Sequence, residues 1–248
     1  MKENELIFGI RATIEAINAG KEVDKILIKK DLQGDIAKEL FTLLKENNAD
    51  IPVQRVPMER LNRLTRKNHQ GVIAFVSPVV YQRLEDIIPF LYEQGKNPFI
   101  VLLDGLTDVR NFGAIARTCE CAGVDAIVIP SRGSVTVNAD AVKTSAGALH
   151  TIPVCKEKSI GDAIKFLQES GVKVYAASEK AHASYTEVPY TDPVAIVMGS
   201  EDKGVAMTNL RVCDSMVKIP QFGSIGSLNV SVAASVLIYE AVRQRHLK

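Results

Sequence analysis

The chain has 248 residues, 46% of them hydrophobic and 24% charged, with four cysteines and a formal net charge of +1. These proportions describe a globular chain large enough for one or two domains and exclude a disordered or collagen-like polymer. A net charge so close to zero argues neither for nor against nucleic acid, so any such contact has to come from a local cluster.

The opening segment MKENELIFGIRATIEA has neither the apolar core nor the small-residue cleavage site of a secretory signal. No uncharged apolar run approaches the ~20 residues of a membrane-spanning helix. A cytoplasmic protein without a membrane partner is the expectation. Ile10 to Ala19 reads as a helix and Lys25 to Ile28 as a strand. Asp35 to Glu46 reads as a second helix, with Ile36, Leu40, Leu43 and Leu44 on one face. Pro52 to Val56 and Gly71 to Val76 read as further strands, and Ser77-Pro78 ends this small α/β unit, residues 1–77. Residues 78–97 read as a linker with a short helix around Leu84 to Tyr92, closed by Gly95-Lys96-Asn97-Pro98.

A second unit, residues 98–248, opens on Phe99-Ile-Val-Leu-Leu103, an unbroken apolar run of the kind found in strands buried on both faces. Ala126 to Ile129, Val172 to Ala176, Ala195 to Met198 and Met216 to Ile219 are similar. Helical patterns separate them, and a long helix from Leu228 to about Arg245 ends the chain. This order predicts an α/β fold, a mostly parallel sheet with helices on both faces. Cys119, Cys121, Cys155 and Cys213 form no CxxC pair and histidines are scattered, so reduced buried thiols are expected, with no metal.

Ligands on such sheets bind at the carboxyl ends of the strands. Three segments there have unusual composition: Leu103-Asp-Gly-Leu-Thr-Asp-Val-Arg-Asn-Phe-Gly-Ala-Ile-Ala-Arg117, Val197-Met-Gly-Ser-Glu-Asp-Lys-Gly204, and Ile219-Pro-Gln-Phe-Gly-Ser-Ile-Gly-Ser-Leu-Asn-Val-Ser231. Glycines there let the backbone approach a ligand closely, and Ser227 or Asn229 can cap the last helix. A dinucleotide site needs GxGxxG after the first strand of its unit, where DGLTDVRNFG stands instead, and GxxxxGK[ST] is absent. The densest basic stretch is 55–69, with Arg55, Arg60, Arg63, Arg66 and Lys67 against Glu59 alone. It is either a solvated helix face or a set of contacts to nucleic-acid phosphates, which position a chain without reading its sequence.

Taken together, the three segments resemble the motifs of the SpoU (TrmH) family of RNA ribose 2′-O-methyltransferases. Asn111 with Arg117 resembles the first motif, Met198-Gly-Ser-Glu-Asp-Lys-Gly204 the second, and Ile219-Pro with Ser227-Leu-Asn-Val-Ser231 the third. Phe8-Gly-Ile-Arg-Ala12 and His69-Gln-Gly-Val-Ile-Ala74 resemble the substrate-binding extension of the bacterial 23S rRNA guanosine branch, although Arg11 stands where that branch often carries His. The resemblance implies an L30e-like RNA-binding domain followed by a SPOUT-type catalytic domain with a C-terminal trefoil knot. It also implies S-adenosylmethionine as donor, an RNA substrate, a guanosine of 23S rRNA in this branch, and a homodimer whose active site is completed across the interface. Gly199, Ile219 and Leu228 are then the positions expected to touch the donor, with Ser227 and Asn229 beside them. Arg117 is expected to act on the acceptor, with Asn111 orienting it or holding a loop, and Glu201 organising the second segment or pairing with Arg117. Two alternative readings are a tRNA ribose methyltransferase and a non-catalytic RNA-binding protein. A nucleotide-dependent metabolic enzyme on a plain doubly wound sheet is a third, and it predicts affinity for NAD or ATP and none for RNA.

Overall fold

The computed structural model describes residues 6–46 and 51–246; the opening MKENE lies outside them. The chain divides into two units, Met1–Val80 with Thr136–Ala139, and Tyr81–Val135 with Asp140–Lys248.

In the first unit the elements run β1 (Leu6–Phe8), α1 (Ile10–Asn18), β2 (Val23–Lys29), α2 (Asp35–Glu46), β3 (Val53–Val56), α3 (Met58–Leu64) and β4 (Val72–Val76). The sheet order is β1-β4-β2-β3, with β4 antiparallel to both neighbours and β2 parallel to β3. Successive side chains of a strand point to opposite faces. Ile26 and Ile28 therefore enter one core with Ile14 and Leu40, while Leu27 enters another with Val56, Leu61 and Ile73. The helix expected at Asp35 to Glu46 forms, but its buried face is set by Ala37 and Leu40, and Ile36 is exposed. Residues 36 and 37 are about 100° apart around a helix, so one of them has to face out.

Two tight turns lie side by side where β1 ends and β4 begins, with the Gly9 amide donating to the Val72 carbonyl at 3.0 Å. Gly9 (φ 93°), Gln70 (φ 48°) and Gly71 (φ 80°) all take left-handed backbone, a conformation natural to glycine and costly for Gln70. The buried His69 holds the second turn. Its Nδ1 accepts the Gly71 amide at 3.1 Å, so Nε2 carries the ring proton and donates it to Asn62 Oδ1 at 2.9 Å.

The second unit begins within the segment read as a linker. β5 (Tyr81–Gln82) pairs with a strand of the second sheet, and α4 (Leu84–Glu93) buries Leu84, Ile87, Ile88 and Leu91 in its core. The linker expectation missed this because a short amphipathic helix beside Gly and Pro looks the same in sequence whether it is free or docked. There follow β6 (Phe99–Asp104), α5 (Val109–Cys121), β7 (Ala126–Pro130), α6 (Ala139–Thr144), β8 (Val154–Glu157), α7 (Ile160–Glu169), β9 (Lys173–Ala177), β10 (Ala183–Ser184), β11 (Val194–Gly199), α8 (Met207–Leu210), β12 (Ser215–Lys218) and α9 (Val230–His246).

The eight strands lie in the order β10-β12-β9-β11-β6-β7-β8-β5, and every pairing is parallel. β6 sends Ile100 and Leu102 into the core shared with α4 and α7. Val101 and Leu103 are left for the opposite face, where α5 and α9 pack on each other. The chain runs outward from β6 to β7 and β8, then crosses to the other side for β9, β11 and β12. The order therefore reverses at the β6–β11 pair, the place where open parallel sheets form ligand crevices.

Arg245 fastens the far end of α9. Its guanidinium donates to the carbonyls of Tyr190 (2.8 Å), Asn97 (3.1 Å), Pro98 (3.1 Å) and Asp192 (2.8 Å) and stands over the Phe99 ring. The last helix is thereby tied to the starts of β6 and β11.

Candidate active site

A cavity of about 550 Å³ opens at the carboxyl ends of β9, β11 and β12. Its walls are the loops 177–180, 199–204 and 219–228, with Met198, Val217 and Val230 giving apolar surface. Small-molecule sites occupy roughly 300–1,000 Å³, so the cavity is of a size to hold a small molecule. Gly199, Ile219, Ser227 and Leu228 all line it, whereas Asn229 does not. The sequence reading missed the 177–180 loop, where Glu179 and Lys180 add one charge of each sign. Its only signal was its place after an apolar strand, since Ala-Ser-Glu-Lys is an ordinary loop composition.

Gly199 is fixed by sterics. A Cβ there would lie 1.9 Å from the Gly204 carbonyl carbon and 2.0 Å from the Val205 nitrogen. The loop folds back over its own strand end, with Gly204 N–H donating to the Ser200 carbonyl at 2.8 Å and Ser200 N–H to that of Gly204 at 3.2 Å. Gly204 makes the return in left-handed backbone (φ 66°).

The three sequence segments meet at Asn111. Asp108 caps α5 by accepting the Asn111 amide at 2.8 Å. The Asn111 side chain then donates through Nδ2 to the Glu201 carboxylate and accepts Asn229 Nδ2 at Oδ1, 3.1 Å away. One amide, used once as donor and once as acceptor, joins the loop after β6 to those after β11 and β12. Asn229 also starts α9, its Oδ1 accepting the Ser231 amide at 2.9 Å and the Ser231 hydroxyl at 2.6 Å. The capping alternative thus falls to Asn229. Lower on the same side of α5, Thr118 Oγ1 lies 3.1 Å from Ser235 Oγ of α9.

Arg117 is not part of this knot of polar groups. It is exposed, and neither Asn111 nor Glu201 bonds to it. Six residues along a helix is a rotation about 120° short of two full turns. Asn111 and Thr118 therefore share a face, and Arg117 shares another with Arg110. Cys119 is buried beside them, its thiol pKa pushed far up by desolvation, while Cys121 is exposed rather than buried.

The basic stretch of the first unit divides. Arg60 and Arg63 lie on α3, and with Arg66 they are exposed to solvent. Arg55 is on β3, donates to the Lys30 carbonyl at 3.1 Å and stands over Phe41. Lys67 stands over Phe8. Lys25, which the sequence reading left out, belongs to the same positive region: its pKa is lowered first by burial and then by Arg60. Among the described residues no group of His, Cys, Asp and Glu has the makings of a metal site, and no helix is long and apolar enough to cross a membrane.

Comparison with known proteins identifies this arrangement. Residues 98–239 match the model of the SpoU rRNA methylase family, and residues 6–82 match that of the RNA 2′-O ribose methyltransferase substrate-binding domain. A TrmH family tRNA/rRNA methyltransferase of Staphylococcus saprophyticus is 34% identical over 98% of this chain and 97% of its own length. The structure is similar to that of the SpoU methyltransferase AviRb from Streptomyces viridochromogenes, solved with AdoMet, at a TM-score of 0.62 and 24% identity over 98% of this chain and 91% of that one. It is also similar to a solved RNA 2′-O ribose methyltransferase, at a TM-score of 0.56 and 26% identity over 97% and 88% of the two chains. The family match and the staphylococcal relative make this α/β protein an RNA methyltransferase. The chain belongs to the SpoU (TrmH) family.

Proposed function

We propose that this protein transfers a methyl group from S-adenosylmethionine to the ribose 2′-hydroxyl of an RNA nucleoside, a guanosine of 23S rRNA. The observation that carries this reading is the Asn111 bridge, which fastens Glu201 of the cavity wall to Asn229 at the head of α9.

The cavity fits the donor in size and chemistry. Gly199, Ile219 and Leu228 present backbone groups and apolar surface to an adenosine, and charges of both signs on the walls match an amino-acid moiety. When bound, the donor supplies a methyl already activated on a sulfonium, so no metal is needed to activate it. What remains for the protein is alignment of the acceptor and stabilisation of charge growing on its 2′-oxygen. A guanidinium offers a planar fork of cationic donors, so Arg117 serves as an electrostatic partner of that oxygen or of the neighbouring phosphate.

In this reading residues 1–77 hold the RNA through Arg60, Arg63 and Arg66, with Arg55 and Lys67 adding charge, and residues 98–248, together with β5 and α4 packed into their sheet and core, form the catalytic domain with its knotted C-terminal segment. The protein works in the cytoplasm as a homodimer. Phe222 is 97% exposed and Ile225 77%, both in the loop before α9, and Val232 and Tyr239 expose apolar surface along α9 itself. A second copy covering this surface also accounts for an Arg117 that stays out of its own cavity.

The test is methylation by the purified protein of 23S rRNA and, separately, of bulk tRNA, with 2′-O-methyl mapping of rRNA from a deletion strain. One rRNA guanosine losing its methyl in that strain is the expected result. Methyl transfer to tRNA alone moves the substrate to the tRNA class, which the name of the staphylococcal relative also spans. RNA binding with no donor binding overturns the enzymatic reading.

A further inference from the structure

Asp104 ends β6 beside Gly199, its register partner on β11. It does not line the cavity. Its Oδ2 accepts the Ala206 amide at 2.7 Å and Asn209 Nδ2 at 2.9 Å. Both donors follow the 199–204 loop in sequence, so one carboxylate oxygen on the neighbouring strand anchors the exit of that loop.

The entry is fixed by Gly199, whose missing Cβ lets Gly204 and Val205 fold against it. Between these two anchors Glu201, Asp202 and Lys203 are exposed, and all three line the cavity. This wall is therefore held at its two ends, with the Asn111–Glu201 bond as a third tie between them.

The Asn209 anchor is itself held. Its carbonyl accepts the amides of Val212 and Cys213, both at 3.2 Å. On the far side its Oδ1 lies 3.1 Å from where a Cβ on Gly161 of α7 would stand. The carboxylate of Asp104 requires a donor, which orients the amide with Nδ2 toward β6.

We propose that Asp104 is a positioning residue for methyl transfer: it holds the Gly199–Gly204 loop against the donor cavity and, through Glu201, fixes the Asn111 bridge. This rests on the donor reading above. Both bonds go to one oxygen, and Oδ1 has no hydrogen bond among the described residues. Asparagine at this position keeps a carbonyl oxygen for both donors, whereas alanine leaves both without an acceptor.

The experiment compares Asp104→Ala, Asp104→Asn and Asn209→Ala in the full chain. Donor affinity is measured by calorimetry with S-adenosylmethionine. Single-turnover methylation at saturating donor and a thermal melt of each variant accompany it, with all binding measured well below the melting transition. Asp104→Ala is expected to weaken donor binding roughly tenfold or more and to slow the saturated turnover, while Asp104→Asn stays within about threefold of wild type. Asn209→Ala removes one of the two donors and is expected to weaken binding by roughly threefold. Added to Asp104→Ala it costs little more, because the two share one interaction.

A folded Asp104→Ala chain with wild-type donor affinity and turnover, and only a lower melting temperature, overturns the proposal and leaves Asp104 a structural clamp. Should Asp104→Ala not fold, Asn209→Ala decides: unchanged affinity and turnover overturn the proposal, and the expected loss supports it. A wild-type chain that binds no donor overturns the donor reading itself, and this proposal with it.

Discussion

Replacing Gly199 by alanine tests the cavity at its most crowded point. The added carbon would lie 1.9 Å from the Gly204 carbonyl carbon, 2.0 Å from the Val205 nitrogen and 2.4 Å from the Gly204 oxygen. Carbon–carbon contacts settle near about 3.5–4.0 Å, so the Gly204–Val205 peptide must retreat by roughly 1.5–2 Å. All three atoms are backbone, and no flexible side chain is available to give way. Retreat is opposed by the Ser200–Gly204 backbone exchange, by the burial of Val205 and by the Ala206 bond to Asp104. Overpacking of this kind costs about 1–3 kcal/mol, which for a chain of this size lowers the melting temperature by roughly 2–12 °C. Because the retreating peptide belongs to the cavity wall, S-adenosylmethionine affinity is expected to fall at least roughly tenfold. Calorimetry and a thermal melt measure both effects. Gly223→Ala is the matched control: nothing lies within 4 Å of its added carbon, its φ is outside the left-handed range, and it does not line the cavity. A Gly199→Ala protein with the control's affinity and melting temperature would refute the packing argument, and with it the placement of the donor against this loop.

Arg117→Ala is expected to lower single-turnover methylation by roughly 100-fold, equivalent to about 2.7 kcal/mol, with donor affinity nearly unchanged; Arg117→Lys should recover only part, since an ammonium lacks the guanidinium fork. Replacing Arg60, Arg63 and Arg66 together should weaken RNA binding and flatten its dependence on salt, measured by filter binding across a salt series, and a wild-type slope makes this stretch a solvated face. Cys121 is exposed, whereas desolvation raises the thiol pKa of Cys119, and raises those of Cys155 and Cys213 to about 12 each. In a thiol-reagent titration of the native protein near neutral pH, Cys121 alone should react fast, with the others following only on unfolding.

The fold was legible wherever burial imposed a period or a run. β6, β7 and β11 are nearly continuous apolar strings because parallel strands covered on both faces have no solvent side to mark with polar residues. The short pieces left no such trace. β1 has three residues, β5 two, and α3 buries only Leu61, too little for a repeat to show. At the site, the glycines and the Asn, Glu and Asn of the three segments stood out by composition and position, but the bonds joining them did not. That Asn111 serves Glu201 and Asn229 rather than Arg117 depends on the rotation of α5 and on the ends of β11 and β12 lying beside it. Asp104 escaped notice for a related reason. An aspartate at a strand end is common, and its meaning comes from Ala206 and Asn209, about a hundred residues away in sequence.

The spacing from Asn111 to Arg117, which reads in sequence as a single motif, divides in three dimensions into two devices. Asn111 faces the loops, where it bonds Glu201 and Asn229, and shares its side of α5 with Thr118, which meets Ser235 of α9. Arg117 occupies another face of α5 and takes no part in the cavity wall. In-line transfer needs the acceptor oxygen opposite the methyl-bearing sulfur and the stabilising cation close to that oxygen. A cation outside its own cavity meets that requirement if the acceptor spans from the cavity to the arginine's face, or if the arginine reaches the cavity of a second copy. The exposed Phe222 and Ile225, in the loop that also lines the cavity, favour the second arrangement, because covering them places another chain at the cavity's edge. The homodimer reading therefore supplies one of the two routes by which Arg117 can reach the acceptor. A fully active monomer removes that route and obliges Arg117 to act through an extended acceptor. An inactive monomer, with activity that rises as subunits associate, supports the route through a second copy.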